Sequence, residues 1–277
     1  MAKKKTSDPW SAYRFASSDA KFSLAAIDTA AKPFSNGSKA SDRDHAARLA
    51  HELDDLQNLF FADRRYKLLV VLQGTDTSGK DGTLRTVFGR MSPLGVRTVA
   101  WKAPGEAERA HDFLWRIHAQ VPADGEVVAF NRSHYEDVLV PVVHDEIDKP
   151  EVQRRYAQIN DFERMLAEHR TVILKFMLHI SKDEQRKRLQ ARIDDPAKRY
   201  KFRRGDLDDR VQWDAFQRAY EHAIRATATP WAPWIVVPAD SKAHRDVMVA
   251  LALREALRSL DLRYPDDDPD IASLKVQ

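Results

Sequence analysis

The chain has 277 residues, no cysteine and a formal net charge of +3. Its length and a hydrophobic fraction of 43% allow one large or two small domains with a substantial core. The lack of cysteine excludes disulfide scaffolds, thiolate zinc sites and cysteine nucleophiles, and the small net charge excludes a chain that is basic throughout, although a local basic patch stays possible.

No run of residues is apolar for the ~18 positions that a membrane span needs. The basic start of the chain, MAKKKTSDPW, is followed by no apolar stretch and so differs from a secretory signal. We therefore expect a cytoplasmic protein with no membrane partner.

The two ends of the chain differ from its middle. Residues 1–41 are rich in Ser, Ala and Lys without a clear period, and we expect a partly irregular arm. Ser41 is a candidate cap for a following helix, whose apolar residues recur at helical spacing until near Arg64. The acidic, proline-bearing segment 263–277 is expected to be a loose tail.

The middle of the chain alternates apolar runs with longer helical stretches. The runs lack the polar alternation of half-exposed strands, so they predict a parallel sheet of five strands: 67–73, 96–101, 126–130, 171–176 and 234–238. Helical stretches lie at about 79–91, 106–119, 151–169, 181–195, 208–228 and 241–260. This pattern indicates a three-layer α/β/α domain over residues 42–262.

A glycine-rich segment from Gly74 to Thr83 follows the first strand and opens a helix. Its G-x4-G-K spacing is typical of a phosphate-binding loop, in which backbone N–H groups face phosphate oxygens and Lys80 adds a full positive charge. Asp81 stands where such loops carry a hydroxyl ligand for Mg²⁺, so Asp76 is the candidate metal ligand. A glycine-rich turn without a ligand is the alternative.

Polar residues follow the third predicted strand. Ligands of open α/β sheets lie at the carboxyl ends of strands, so the ends of the first and third strands could face one cleft. There Asn131 could orient an acceptor, Arg132 could stabilise phosphoryl charge, and Glu136 or Asp137 could help to hold Mg²⁺. An ordinary polar strand end is the alternative, and His134 is more consistent with a surface or packing residue than with a general base.

Residues 186–210 carry ten basic and five acidic side chains, so this segment alone has a charge of +5. Pro196 and Gly205 interrupt helical order within it. We interpret residues from about 186 to 212 as a mobile basic lid, suited to closure over a phosphorylated substrate. A solvated helix surface is the alternative.

Four blocks, in this order and spacing, resemble the polyphosphate kinase 2 family: QGTDTSGKDGT, FNRSHYEDVLVPVVH, YKFRRGDLDDRVQWDAFQRAYEHAI and APWIVVPAD. The likeness extends from about Phe22 to Leu262. It implies a P-loop kinase-like fold with a parallel five-stranded sheet and a helical lid. It also implies Mg²⁺-dependent transfer of a terminal phosphoryl group between inorganic polyphosphate and a nucleotide.

Carried over by position, the resemblance implies catalytic roles for Asp76, Lys80, Asn131 and Arg132, with Asp76 also the metal ligand. The other residues that it implies for substrate binding in or just after the first two blocks are Gly74, Thr77, Gly79, Gly82, Thr83, Arg85, Tyr135 and Glu136. Those in the lid are Arg192, Lys198, Arg199, Lys201, Arg204 and Asp206.

The first two blocks are most similar to class III members of the family, which accept AMP as well as ADP. Thr75 and Ser78 depart mildly from the usual Met and Ala, and the pair at 203–204, Arg-Arg where Ser-Pro is usual, adds charge to the lid. The resemblance implies AMP, ADP, ATP or their guanine equivalents as partners, no nucleic acid, and a homo-oligomer, either dimer or tetramer.

Two other functions stay open at this point. An ATP-dependent nucleoside monophosphate kinase would share the sheet, the loop and the lid, and would differ in its phosphoryl donor. A non-enzymatic polyanion-binding protein would use the basic lid and would leave the residues of the loop and of the second block without a role.

Overall fold

The computed structural model describes residues 8–18, 21–266, 270–271 and 274–276; the start of the chain at 1–7 and the rest of the expected tail lie outside them. The strands are β1 (Arg14–Phe15), β2 (Lys67–Gln73), β3 (Val96–Ala100), β4 (Val127–Asn131), β5 (Thr171–His179) and β6 (Trp234–Pro238). The helices are α1 (Lys39–Asp63), α2 (Lys80–Thr83), α3 (Glu106–Arg109), α4 (Trp115–His118), α5 (Glu136–Val143), α6 (Lys149–Glu168), α7 (Lys182–Asp194), α8 (Gly205–Val211), α9 (Trp213–Thr227) and α10 (Lys242–Arg258). Within the described ranges, no helix combines the length and apolarity needed to cross a membrane.

The sheet has six strands in the order β1-β6-β5-β2-β4-β3. The five predicted strands are confirmed and pair in parallel. The additional strand, β1, pairs antiparallel with β6 at the edge, with Arg14 opposite Ile235. A strand of two residues is too short to show a periodic pattern in the sequence, and it becomes a strand only by pairing with β6.

The three predicted layers are confirmed, and β2 shows why its sequence is continuously apolar. Leu68, Val70 and Leu72 pack into a core with residues of α1 and α10. Leu69 and Val71 point to the opposite face, into a core with residues of α5, α6 and α9. Side chains alternate between the faces of a strand, so a strand covered on both faces must be apolar at every position.

Several helix boundaries differ from the prediction. Ser38, not Ser41, caps α1, and its hydroxyl accepts a hydrogen bond from the N–H of Ser41 at 3.0 Å. The stretch predicted as one helix over 106–119 forms only the single turns α3 and α4, because the Asp112 side chain accepts from the N–H of Leu114 and so competes with the helical pattern. The stretch predicted over 208–228 is divided at Gln212 into α8 and α9.

The predicted helix that follows the glycine-rich loop is also modified. Its first turn, α2, continues over Leu84–Phe88 with the wider hydrogen-bonding pattern of a π-helix. Such bulges occur frequently at functional sites. Here the bulge follows the loop directly and comes before the turn that leads to β3.

The N-terminal arm packs on both faces of the sheet. Trp10 is buried in the core beside α10, where its indole N–H donates to Glu255 Oε1 at 2.7 Å and its ring lies 4.5 Å from that of Phe34. Phe22 and Leu24 are buried in the core on the opposite face. The described part of the arm therefore passes around the β1 edge of the sheet.

The chain reverses its direction of winding at β2. It runs outward from β2 to β3, returns to β4 on the same side, and then crosses to β5 and β6 on the other side. Open α/β sheets bind ligands at such a reversal, beyond the carboxyl ends of the strands. The loop after β2 and the polar residues after β4 both lie at this point.

We expect replacement of Trp10 by Ala to lower the free energy of unfolding by about 3–5 kcal/mol, the usual cost of removing a buried aromatic side chain. The matched control is Trp115→Ala, because Trp115 is about half exposed. Urea unfolding of both variants measures the difference. Equal stability of the two would show that the arm is not packed on the domain.

Candidate active site

A cleft lies beyond the carboxyl ends of β2 and β4. Its lining includes the glycine-rich loop with Asp76, the charged residues Arg132 and Glu136 after β4, and Asp209 of α8. The other side is formed by aromatic residues of α9: Trp213, Phe216 and Tyr220. The two strand ends that the sequence assigned to one cleft are therefore brought together.

Arg132 links the loop to the residues after β4. Its guanidinium donates to Asp76 Oδ1 at 2.8 Å and to Glu136 Oε2 at 2.9 Å. Glu136 and then Asp76 raise the pKa of Arg132, although burial opposes them, so the guanidinium stays charged. The backbone of Arg132 has φ of 66°, which is a strained conformation outside glycine and is often found at functional sites.

Lys80 is buried at the start of α2. Its Nζ donates to the backbone carbonyls of Gly74, at 2.6 Å, and Thr75, at 3.3 Å. Burial, followed by the nearby Arg132, lowers the pKa of Lys80 to about 8. The ammonium therefore lies against its own loop, and it has one further N–H donor with which to contact a ligand.

Two buried arginines support the loop from behind. Arg188 Nη1 donates to the carbonyls of Thr77, at 3.0 Å, and Ser78, at 3.1 Å. The guanidinium of Arg245 lies so close to Gly79 that a Cβ atom there would be 1.7 Å from Nη1. Arg245 is held in turn by Asp246 Oδ1, which accepts from its Nη2 at 2.7 Å.

This support determines which way the loop faces. The Ser78 carbonyl points back at Arg188, and a trans peptide places the N–H of the next residue on the opposite side, so the N–H of Gly79 points away from that arginine. Gly79 has φ of 111°, which favours glycine. In addition, Thr77 Oγ1 is buried with no hydrogen-bond partner in the described residues.

The sequence did not indicate either supporting arginine. Arg188 was assigned to the mobile lid, but it is buried, and it also donates to the backbone carbonyl of Ala239 at 2.7 Å. Arg245 comes from α10, more than 160 residues after the loop. The only local signal was the pair of glycines, since both Gly79 and Gly82 would place a Cβ against the Arg245 side chain.

Four carboxylates lie near the expected Mg²⁺ site, those of Asp76, Glu136, Asp206 and Asp209. Burial, and after it Asp76, raises the pKa of Asp206 and Asp209, which shows that negative charge is concentrated here. Among the described residues, no three His, Asp or Glu side chains are arranged to hold a metal alone. Mg²⁺ usually takes one or two protein carboxylates together with substrate phosphates, so Asp76 with Glu136 fits such an ion.

Asp137, the other predicted metal ligand in this block, points elsewhere. It accepts from Arg116 Nη2 at 3.0 Å, and Arg116 is itself buried. Burial raises the pKa of Asp137, although Arg116 opposes the shift. Only Glu136 of the two candidates lines the cleft.

Asp81 connects the lid to the second block. Asn131 Nδ2 donates to Asp81 Oδ1 at 2.8 Å, and Lys201 Nζ donates to Asp81 Oδ2 at 3.2 Å. Although burial opposes them, these two donors lower the pKa of Asp81. Asp81 stands where phosphate loops usually carry a hydroxyl side chain. It is the acceptor that joins the loop, the end of β4 and the lid.

The other predicted lid residues are arranged less uniformly. Arg192 Nη1 lies 3.8 Å from Asp206 Oδ2. Lys198 pairs with Asp195, Arg199 donates to the carbonyl of Ile193 at 2.7 Å, and Arg204 is exposed. Lys201 thus contacts Asp81, Arg192 is half-buried against Asp206, and the other three are exposed on the outer surface of the lid.

Some residues predicted to bind substrate lie beneath the cleft or outside it. Tyr135 is fully buried, and Thr83 is buried and donates to Asp246 Oδ1 at 3.1 Å. Gly82 packs against Arg245, and Arg85 is exposed on the π-helical segment Leu84–Phe88. Gly74 lines the cleft, so its predicted contact with substrate stays a prediction.

We expect Gly79→Ala to reduce turnover by about 10²-fold, because the new Cβ meets Arg245 and misplacement of a binding group by about 1 Å can have that cost. Gly105→Ala is the matched control, since the nearest atom to its Cβ is 3.7 Å away. Steady-state kinetics of both folded variants measure the effect. A fully active Gly79→Ala enzyme would refute this role of the loop.

Comparisons with known proteins identify the family of the chain. Residues 36–265 match the family model described as polyphosphate kinase 2. An AMP/ADP-polyphosphate phosphotransferase of Meiothermus ruber is 50% identical over 93% of this chain and 96% of its own. An ADP-polyphosphate phosphotransferase of Rhodopseudomonas palustris is 40% identical over 78% and 79%.

A solved structure shows the same fold. The crystal structure of polyphosphate kinase 2 from Arthrobacter aurescens TC1 superimposes with a TM-score of 0.91, at 46% identity over 96% of this chain and 94% of that one. The fold, the family and the polyphosphate-dependent nucleotide phosphotransferase activity expected from the sequence are thereby confirmed. The chain belongs to the polyphosphate kinase 2 family.

Proposed function

We propose that this chain transfers the terminal phosphoryl group between inorganic polyphosphate and AMP or ADP, and so forms ADP or ATP. The observation that carries the proposal is the single cleft in which the phosphate loop, Arg132 and Asp76 meet. The name of the Meiothermus ruber relative supports both acceptors. An ATP-dependent monophosphate kinase lacks comparable support, because the similar relatives are named for polyphosphate.

Charge complementarity supports polyphosphate as the donor. A chain of phosphates carries roughly one negative charge per unit, and a site that binds it must supply cations along its length, as in nucleic-acid binding. Lys80, Arg132, Arg192 and Lys201 extend from the loop into the lid. The aromatic side of the cleft offers flat, apolar surface for the nucleoside.

Phosphoryl transfer of this kind depends on positioning and on stabilising charge. Lys80, through its remaining N–H, and Arg132 would contact the oxygens of the transferred group. Asn131, fixed by Asp81, would orient the acceptor. The acceptor phosphate is already ionised near pH 7, so the residues at the end of β4 need not include a strong general base.

Mg²⁺ is the expected metal, and the carboxylates of Asp76 and Glu136 would hold it. When bound, the ion neutralises phosphate charge that the protein cations leave uncompensated.

The division of the chain into an arm, a domain with a lid over 186–212 and a tail stays a prediction. The homo-oligomer, the cytoplasmic location and the lack of nucleic-acid and membrane partners also stay predictions.

The proposal is tested by incubating the protein with polyphosphate and AMP, ADP, GMP or GDP, without ATP and with or without Mg²⁺. We expect nucleoside diphosphates and triphosphates to form only with the metal. Lys80→Ala should lower turnover by about 10²–10³-fold, the scale for removal of one preorganised charge contact. Polyphosphate binding without transfer, unchanged by removal of Mg²⁺, would instead indicate a polyanion-binding protein.

The pKa of Lys80, about 8, gives a second test. As pH rises through this value the free enzyme loses the ammonium, so we expect kcat/KM for polyphosphate to fall above about pH 8. Lys80→Arg keeps its charge at all accessible pH values and should move this decline to higher pH. The same alkaline decline in both enzymes would show that another group causes it.

A further inference from the structure

Lys175 is a fully buried lysine in the middle of β5. Its Nζ donates to Glu163 Oε2 at 2.6 Å, to Tyr135 Oη at 2.9 Å and to the backbone carbonyl of Thr227 at 2.8 Å. An ammonium group has three N–H donors, so each donor is used once. The mechanism described above does not involve this residue.

Glu163, from α6, completes a buried network. Its Oε1 accepts from Tyr135 Oη at 2.9 Å and is 3.3 Å from His134 Nε2. Although burial alone would raise it, the pKa of Glu163 is lowered by Lys175, so the carboxyl is ionised. Replacing a buried ion pair by apolar residues is often neutral or stabilising, and stability alone is therefore a weak reason for this pair.

The network holds the base of the turn that carries the charged side of the cleft. Tyr135 and His134 are anchored in the core, while Arg132 and Glu136, which come just before and just after them, face the cleft. Ser133 is buried between them, and its Oγ lies 3.0 Å from the side-chain amide of Gln73 at the end of β2. The strained backbone at Arg132 needs such fixed surroundings to persist.

The same network reaches the aromatic side of the cleft. Thr227, whose carbonyl binds Lys175, is the last residue of α9. Its Oγ1 accepts from the indole N–H of Trp234 at 2.9 Å, and the Lys175 ammonium lies 5.1 Å from that indole ring. The C-terminal end of α9 is therefore fixed to Lys175, the same residue that holds the turn on the opposite side of the cleft.

We propose that the buried Lys175–Glu163 pair is a positioning device that sets Arg132 and Glu136 at a fixed place relative to α9. Tyr135 acts in this device through the turn and makes no contact with substrate. The inference rests on the proposed function, because the reaction measured is phosphoryl transfer from polyphosphate.

The test compares three variants with the wild-type protein. Lys175→Met/Glu163→Gln removes both charges with side chains of similar shape. Tyr135→Phe keeps both charges and the ring, and removes only the hydroxyl that joins the turn to the pair. The matched control, Lys67→Met/Asp124→Asn, removes an ion pair of 2.5 Å at the other end of β2.

We expect the double variant to unfold within a few degrees of the wild type, with kcat lowered by about 10²-fold as for a misplaced group. KM for polyphosphate should change much less. Tyr135→Phe should lower kcat in the same sense, by about 10-fold on the scale of small displacements, and the control should keep the wild-type kcat. A structural role alone would lower thermal stability without separating kcat from KM.

Wild-type kcat in a folded double variant would overturn the proposal. If the double variant fails to fold, Tyr135→Phe decides, and wild-type kcat in that variant overturns the proposal equally. A wild-type protein that transfers no phosphate from polyphosphate to any nucleotide would refute the proposed function instead, so the two failures are distinguishable.

Discussion

The site depends on two guanidinium groups buried behind the phosphate loop. Arg188 binds the carbonyls of Thr77 and Ser78, and Arg245 fills the space that side chains at Gly79 and Gly82 would take. Carbonyls drawn toward buried cations leave N–H groups for the cleft. Because Arg188 belongs to α7, the helix that leads into the lid, the same contacts fix the origin of the lid to the loop.

Each cation of the cleft already has an acceptor within the protein. Arg132 binds Asp76 and Glu136, Lys80 binds carbonyls of its own loop, and Lys201 binds Asp81. These partners hold positive charges close together without leaving them unpaired. Phosphate oxygens are acceptors too. The phosphates of a bound polyphosphate chain can therefore replace these protein acceptors at donors that are already in position.

The sequence predicted features that depend on local order. Continuous apolar strands, the G-x4-G-K loop and the polar residues after β4 all have signals within a few positions. The parts that it missed are contacts between distant segments: Trp10 with Glu255, Arg188 with Thr77, and Lys175 with Tyr135. A lysine in an apolar run and an arginine in a basic segment have ordinary surface interpretations until the fold shows their partners.

Binding of polyphosphate at the loop that Arg188 and Arg245 support is tested most directly by a crystal structure with a short polyphosphate. We predict a phosphate within hydrogen-bonding distance of the Gly79 N–H and of Arg132, with Lys80 Nζ turned from the Gly74 carbonyl toward it. Polyphosphate bound only to the outer arginines and lysines of the lid, with Lys80 still on its own loop, would contradict the account.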